Sequence, residues 1–261
     1  MLLAKYAKTA SMTAASYTSE GYLFLADYLL RLVRVAVLLA IWRTILGGSG
    51  EVSGMTLGAV LTYTLVAQAF AEQLEARGGI VNGMWDGSFA GHFTRPMSVI
   101  GQFVAEMLGR WLPGLVCFAL PLMLCAPLLG VDPRPIDLAH GVLFVVSLVL
   151  GVSVGLSLEF IEGALTVQTD MGPWVLDRLR NAVETVVSGA LLPLALLPWG
   201  LGAAFQWLPF AAMASTPLRI YTGTGNPLPL MAGQLVWSLL LWPVAWGLWR
   251  ANRERLSTYG G

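Results

Sequence analysis

Long apolar stretches without charge recur along the chain, separated by short polar connections. A helix needs about 20 mostly apolar residues to cross the ~30 Å hydrocarbon core of a bilayer. Five uncharged stretches approach that length, and a sixth, Leu29–Gly48, is interrupted by arginines. The pattern predicts an all-α membrane protein with six transmembrane helices; the alternative is five, with the first helix lying on the membrane. The five uncharged stretches are Met55–Ala71, Trp111–Leu129, Gly141–Leu158, Thr185–Leu201 and Leu228–Trp249.

The basic residues predict the orientation of the spans across the membrane. With the N-terminus in the cytoplasm, nine lysines and arginines fall in cytoplasmic segments, and only Arg134 and Arg219 fall in external loops. Cytoplasmic loops of membrane proteins carry such an excess of positive charge. Both termini are therefore predicted to be cytoplasmic, which requires an even number of spans. The nine are Lys5, Lys8, Arg77, Arg95, Arg178, Arg180, Arg250, Arg253 and Arg255.

The segments outside the spans are short. Residues 1–28 combine aromatic and basic side chains as interfacial helices do, which predicts an N-terminal interfacial helix. Residues 72–101 and 159–184 form the two longer cytoplasmic connections. Residues 202–227 are too apolar for an ordinary external loop and predict a short helical hairpin before the last span. We expect a single transmembrane domain over residues 1–261.

The composition supports a membrane location. Charged residues make up 11% of the chain, against ~25% in typical soluble domains. Hydrophobic residues make up 56%, and the mean hydropathy is +0.70. The formal net charge is zero, so no overall positive charge attracts nucleic acid, and we expect no nucleic-acid partner.

The chain lacks the sequence features of an ATPase or a metalloenzyme. A P-loop requires a lysine directly after a glycine, so that the ammonium and the backbone amides bind the phosphates together. Both lysines, Lys5 and Lys8, follow alanine. The two histidines, His92 and His140, are predicted on opposite sides of the membrane. Any use of ATP must therefore come from another polypeptide, and a metal site is not expected.

Serine catalysis has one formal candidate, the Gly-Val-Ser-Val-Gly sequence around Ser153. A nucleophile elbow needs a strand-to-helix turn, whereas this sequence lies inside a predicted membrane helix. Ser147, Gly151 and Gly155 recur every four residues, which favours close helix packing. An intramembrane hydrolase, using Glu159, Glu162 and a histidine, or Ser153, stays one alternative, and a secondary transporter is another.

Charges close to the hydrocarbon are functional candidates by default. Arg31, Arg34, Glu106 and Arg110 lie near predicted cytoplasmic ends of spans, where long side chains can reach the interface. Arg43 lies deeper along its span. We interpret it as a contact to outer headgroups or as part of a path for an anionic group.

The first long cytoplasmic connection contains a more specific motif. It reads Gly-Ser-Phe-Ala-Gly-His-Phe-Thr-Arg-Pro over Gly87–Pro96, directly after Trp85 and Asp86. This resembles the cytoplasmic segment of the ABC-2 type permeases, the membrane subunits of bacterial ATP-binding-cassette exporters. In that family a glycine, a hydrophobic residue and, eight positions on, an Arg-Pro pair precede the third span.

A second motif strengthens the resemblance. The external segment contains Leu-Pro-Phe at Leu208–Phe210, then Pro217 and the sequence Ile220–Gly223, similar to a series between the last two spans of the family. One departure is Gly83, which stands where the family often has an acidic residue. Asp86 is the expected substitute.

The resemblance implies that Gly83–Pro96 forms a coupling helix that docks on a separate ABC ATPase subunit. It further implies a second permease, identical or related, and a pathway between the two for an amphipathic small-molecule cargo. ATP and Mg would bind the ATPase, with no cofactor on this chain. The location implied is the bacterial cytoplasmic (inner) membrane. The residues expected to couple are Trp85, Asp86, Gly87, Phe89, Phe93, Arg95 and Pro96.

Overall fold

The computed structural model describes residues 2–19, 21–48, 51–169 and 172–258, and most of these residues are helical. The exception to the all-α prediction is a hairpin of two antiparallel two-residue strands, β1 (Glu51–Val52) and β2 (Met55–Thr56). It follows the first two helices, α1 (Leu2–Thr18) and α2 (Tyr22–Leu46). The chain is thus a helical membrane protein with a small turn structure at one end of α2.

Further helices follow the hairpin in close succession. The second apolar stretch forms α3 (Leu57–Ala69) and α4 (Ala71–Glu75), which are separated only at Phe70. The long cytoplasmic connection forms α5 (Ile80–Asp86), a 3₁₀ turn over Ser88–Ala90, and α6 (Gly91–Thr94). The third apolar stretch then begins with α7 (Val99–Gly114).

The third span changes its helical geometry next to a proline. After α7 comes a π-helical turn, Leu115–Ala119, followed by α8 (Leu120–Cys125) and a 3₁₀ turn, Ala126–Leu129. The Leu120 amide donates to the Leu115 carbonyl five residues back. Pro121 has no amide hydrogen to continue the ordinary helical ladder, so the wider turn fits directly before it.

Among the described residues, three helical stretches are long and apolar enough to cross a membrane: Val99–Leu129, α9 (Leu138–Thr169) and α14 (Pro227–Ala251). The apolar helix α3 is shorter, at 13 residues. The 25 residues of α2 include four charged side chains. The total of six spans remains a prediction.

The prediction of one continuous helix from Thr185 to Leu201 is wrong. Helix α10 (Pro173–Val187) ends early in that stretch, and short 3₁₀ turns follow it. Pro193 and Pro198 cannot donate to a helical ladder, and Trp199 has a positive φ of 57°. Irregular backbone in such an apolar segment needs partners from the protein itself.

Those partners come from neighbouring helices. The Tyr63 hydroxyl donates to the Gly189 carbonyl at 2.7 Å. The Ser215 amide donates to the Ser188 carbonyl at 2.9 Å, and the Ala190 amide donates to the Ser188 hydroxyl at 3.2 Å. The non-helical stretch is therefore bound to α3 and to the helices that follow it.

The predicted hairpin region, residues 202–227, contains three short helices: α11 (Leu201–Phe205), α12 (Pro209–Met213) and α13 (Ser215–Tyr221). Most of α12 and all of α13 except Arg219 are buried. They pack against α9, where a Cβ added at Gly151 would lie 2.8 Å from the Met213 carbonyl oxygen. The close packing predicted from the small residues of α9 is confirmed.

Both described ends of the chain lie beside the α5–α6 connection. At the N-terminal end, the Tyr6 hydroxyl lies 3.3 Å from the Ser98 hydroxyl. At the other end, Trp249 of α14 packs on Phe89 and Phe93, and α15 (Arg253–Thr258) contacts the 3₁₀ turn. This common location agrees with termini on one side of the membrane, and the side itself remains a prediction.

Helix α1 packs along the first half of α7. Gly101, Ala105 and Gly109 are spaced four apart on α7, and a Cβ added at Gly109 would overlap the Ala10 carbonyl oxygen of α1. Close approach of two helix backbones requires such small residues at the crossing. The contact holds the N-terminal helix against the bundle.

We expect Gly109→Ala to lower the apparent Tm in detergent. The added methyl group forces α1 away from α7, and such overpacking costs about 1–3 kcal/mol, more than the ~1 kcal/mol that alanine gains over glycine in a helix. Each net kcal/mol corresponds to about 2–4 °C in a chain of this size. The control is Gly247→Ala in α14, where no atom lies within 4 Å of the added Cβ. Equal melting temperatures for both variants would contradict this packing.

Candidate functional site

The connection with the Gly87–Pro96 motif folds as a compact helix–turn–helix. Gly87 joins α5 to the 3₁₀ turn with a φ of 76°, a conformation that residues with a Cβ rarely adopt. Arg95 is extended (φ −86°, ψ 144°), as expected before Pro96, and ends α6. Gly87 thus forms a turn within one folded unit, and the Arg-Pro pair ends it. We call this unit, residues 80–96, the coupling segment, because it contains the range Gly83–Pro96 for which the resemblance implies a coupling helix.

Aromatic packing holds the inner face of the coupling segment. Phe89 is fully buried and stacks on Phe103 of α7, with ring centroids 5.9 Å apart. Phe93 is half-buried and stacks on Trp249 of α14 at 6.4 Å. Phe160 of α9 completes the cluster, 4.9 Å from Trp249. Sequence reasoning proposes Phe89 as an anchor toward a partner; its burial inside this chain corrects that role to an internal one.

His92 and Arg95 share one carboxylate. The buried His92 ring stacks on Phe103 at 4.4 Å, and its Nε2 lies 3.0 Å from Glu106 Oε1. Arg95 Nη1 lies 3.5 Å from the same oxygen. Gln102 also donates to the His92 carbonyl at 2.8 Å. These bonds join the end of the coupling segment to α7, and they give Glu106 a specific partner that sequence reasoning missed.

The outer face of the coupling segment is polar except for one tryptophan. Trp85 is 68% exposed. Beside it, the Asp86 carboxylate accepts from the Ser88 amide at 2.8 Å, across the turn at Gly87. Hydrogen bonds from the Ser88 side chain and amide lower the pKa of the Asp86 carboxyl, so it stays ionised at neutral pH. Arg95 and Pro96 are also exposed.

A buried carboxylate holds the start of the coupling segment. Glu159 of α9 is 2% exposed and accepts hydrogen bonds from the amides of Gly78, Gly79 and Ile80, the last two at 2.7 and 2.9 Å. These amides form the N-terminal end of α5, where a negative charge is stabilised by the unpaired donors and the helix dipole. The hydrolase alternative uses Glu159 as a catalytic group, whereas in the structure its carboxylate caps α5.

Arg77 connects the same bend to α10. Its Nη1 lies 2.6 Å from Asp177 Oδ1, and its Nη2 lies 3.0 Å from Glu184 Oε2. Arg110 of α7 donates to the Arg77 carbonyl at 3.1 Å. The bend before the coupling segment is thus bound to α7, α9 and α10 at once. The sequence shows that residues 159–184 are rich in charge, but it does not show that Arg77 is a partner of these charges.

Arg180 extends this network within the bundle. It is nearly buried, and its Nη1 lies 3.0 Å from Glu162 Oε2. Its Nε lies 3.5 Å from Glu184 Oε2, so Glu184 is shared between Arg180 and Arg77. Removing one member of such a buried cluster leaves another charge without its partner.

The other candidate residues have structural contacts. Ser153 lies within α9, its hydroxyl 2.7 Å from the Ser238 hydroxyl and bonded to Trp242 Nε1 at 2.9 Å. Arg43 donates to the Leu129 carbonyl at the end of the third span. Within the described ranges, no group of three histidine, cysteine or acidic residues is placed to hold a metal ion.

We expect Glu159→Gln to speed amide hydrogen exchange over Gly78–Ile80 by about 10–100-fold. Glutamine retains one acceptor oxygen but loses the charge, and hydrogen bonds to charged groups contribute about 1.5–3 kcal/mol. Hydrogen-exchange mass spectrometry of the purified chain measures the effect, with Glu51→Gln at an exposed position as the control. Unchanged exchange at these amides would show that the Glu159 cap does not hold the bend.

Comparison with known proteins agrees with this arrangement. The family model described as ABC-2 family transporter protein matches residues 32–260. A search of curated proteins gives no significant match. The matched range includes the coupling segment, the buried charge network and the helices of the bundle. The chain therefore belongs to the ABC-2 transporter family, as a membrane-spanning permease component and not as the ATPase.

Proposed function

We propose that this chain is the permease subunit of an exporter, driven by a separate ABC ATPase that docks on the outer face of the coupling segment. Family membership implies an ABC ATPase partner in general. The observation that carries the proposal is the exposed Trp85, adjacent in sequence to Asp86, on a segment whose inner face is fixed and whose Arg95 is also exposed. Interfaces typically centre on such an aromatic residue within a polar rim.

The attachment of the coupling segment supports a mechanical role. Its start is bound through Glu159 and Arg77, and its end is bound through Glu106 and the aromatic cluster. A short segment fixed at both ends moves with the helices that hold it rather than bending alone. Displacement by the ATPase would therefore pass to α7, α9 and α10 together.

The remaining parts of the proposal rest on membership of the ABC-2 family. Two permeases, identical or related, enclose a pathway for an amphipathic small molecule, and the access of that pathway alternates as the ATPase binds and hydrolyses ATP. ATP and Mg belong to the ATPase, and this chain acts without a cofactor as a single transmembrane domain over residues 1–261. The complex resides in the bacterial cytoplasmic (inner) membrane.

We expect Trp85→Ala to reduce recovery of the ATPase when the tagged chain is purified in mild detergent. Truncation of a central interface tryptophan typically costs at least 2 kcal/mol, or about 30-fold in affinity. The measurement is the ATPase activity that co-purifies per mole of permease. The variant's Tm should stay unchanged because the Trp85 side chain is mostly exposed.

The matched control is Trp207→Ala, which removes another exposed tryptophan (82%) from the opposite predicted side of the membrane. It should leave ATPase recovery unchanged. Full recovery of the ATPase with Trp85→Ala would show that the ATPase docks on another surface. Recovery of no ATPase even with the original chain would contradict the proposed function.

A further inference from the structure

A polar cleft lies between α2, α3, α4 and α10, and the mechanism above does not use it. Its lining includes apolar side chains of α3 and α4 together with a set of polar groups in an otherwise apolar region. Its volume is about 70 Å³, well below the ~300–1,000 Å³ of sites that enclose a whole drug-sized ligand. One chain can therefore surround only a headgroup-sized part of a molecule. The polar lining residues include Arg34, Gln68, Glu75, Asn181, Glu184 and Ser188.

Arg34 supplies a positive charge without a protein partner. It lies 12 positions into α2, is exposed, and makes no hydrogen bond or ion pair with any described residue. Arg31, one turn earlier, is bound to Asp27 at 2.8 Å and to Glu72 at 2.6 Å. Leu30, Val33 and Val37 around Arg34 are exposed and apolar. An unpaired guanidinium among apolar membrane residues costs free energy. The position of Arg34 therefore indicates that an anionic group or water binds there.

Glu75 supplies a negative charge in the same cleft. It ends α4, is exposed, and has no hydrogen bond or ion pair with the part of the chain that the structure describes. The other carboxylate, Glu184, is already bound to Arg77 and Arg180. The cleft therefore presents one positive and one negative group that form no ion pair within 4 Å, although Glu75 also interacts with Arg77 at longer range. An anion alone would satisfy Arg34 and leave Glu75 unpaired.

We propose that this cleft binds the zwitterionic headgroup of an amphiphile, with its anionic group on Arg34 and its ammonium group on Glu75. The amides of Gln68 and Asn181 complete the polar lining, and the apolar part of the amphiphile lies along the exposed face of α2. The proposal names the cargo class of the permease and so rests on the proposed function.

The cleft is connected to the coupling segment by shared residues. Glu184 and Asn181 line the cleft, and both bind Arg77 at the bend before the coupling segment. A displacement of that bend by the ATPase therefore reaches two side chains of the cleft directly. This connection lets ATP binding change the affinity for a bound headgroup.

The test is equilibrium binding of lysophosphatidylethanolamine to the permease–ATPase complex in a nonionic maltoside detergent. This probe carries one phosphate and one ammonium group; lysophosphatidic acid, with the anion alone, is the comparison probe. Arg34→Gln should weaken binding of both probes, each by at least about tenfold. Glu75→Gln should weaken the zwitterion by a similar factor and should not weaken the anion. The control variants are Arg134→Gln and Glu51→Gln, at exposed positions outside the cleft.

Binding of the zwitterion that is indifferent to Arg34 or to Glu75 would overturn the proposal, as would no measurable binding of the probe. The charge exchange Arg34→Glu with Glu75→Arg should recover part of the zwitterion binding, which separates loss of a contact from misfolding.

Addition of ATP and Mg distinguishes the two sources of such a headgroup: a cargo is released, and a resident lipid is retained. If no ATPase co-purifies, the same binding assay on the permease alone still tests the cleft, so failure of the proposed function is distinguishable.

Discussion

The Glu159 carboxylate, buried at the start of the coupling segment, is the interaction on which the rest of the arrangement depends. Three backbone amides at the bend before α5 converge on it, and without it these donors would be buried without an acceptor. Because Glu159 belongs to α9, the longest helix of the bundle, it fixes the coupling segment to the centre of the molecule. Arg77 then adds α10 to the same point.

This arrangement explains how an apolar chain accommodates its few charged residues. The charged groups at this end of the bundle are mostly paired with one another or with backbone amides, so the helices can carry them close to the hydrocarbon. The unused charges of Arg34 and Glu75 stand apart from that rule, and both face one cleft. The paired charges hold the helices together at this end of the bundle, whereas Arg34 and Glu75 are available to a bound headgroup.

The sequence predicts the apolar helices well and their ends poorly. The last span, predicted as Leu228–Trp249, is observed as Pro227–Ala251, but the fourth continues from Leu158 to Thr169. That extension includes carboxylates whose partners are distant in the sequence. A prediction from local hydropathy therefore ends this helix too early. The broken stretch after Val187 depends on bonds to Tyr63 and Ser215, which no local pattern reveals. The glycine and the Arg-Pro pair predict a distinct unit in the first cytoplasmic connection, but the burial of Phe89 follows from tertiary packing alone.

The central claim is that the coupling segment and α10 move as one unit when the ATPase acts. Spin labels at Asn82→Cys on α5 and Leu179→Cys on α10, both exposed, report the distance between them by pulsed electron paramagnetic resonance. Cys117 and Cys125 are replaced by alanine beforehand. In the permease–ATPase complex, the account predicts that the distance between the labels does not change on ATP binding. After Arg77→Gln, it predicts a broader distribution of distances that changes when ATP binds. A distance that changes on ATP binding with Arg77 present would contradict it.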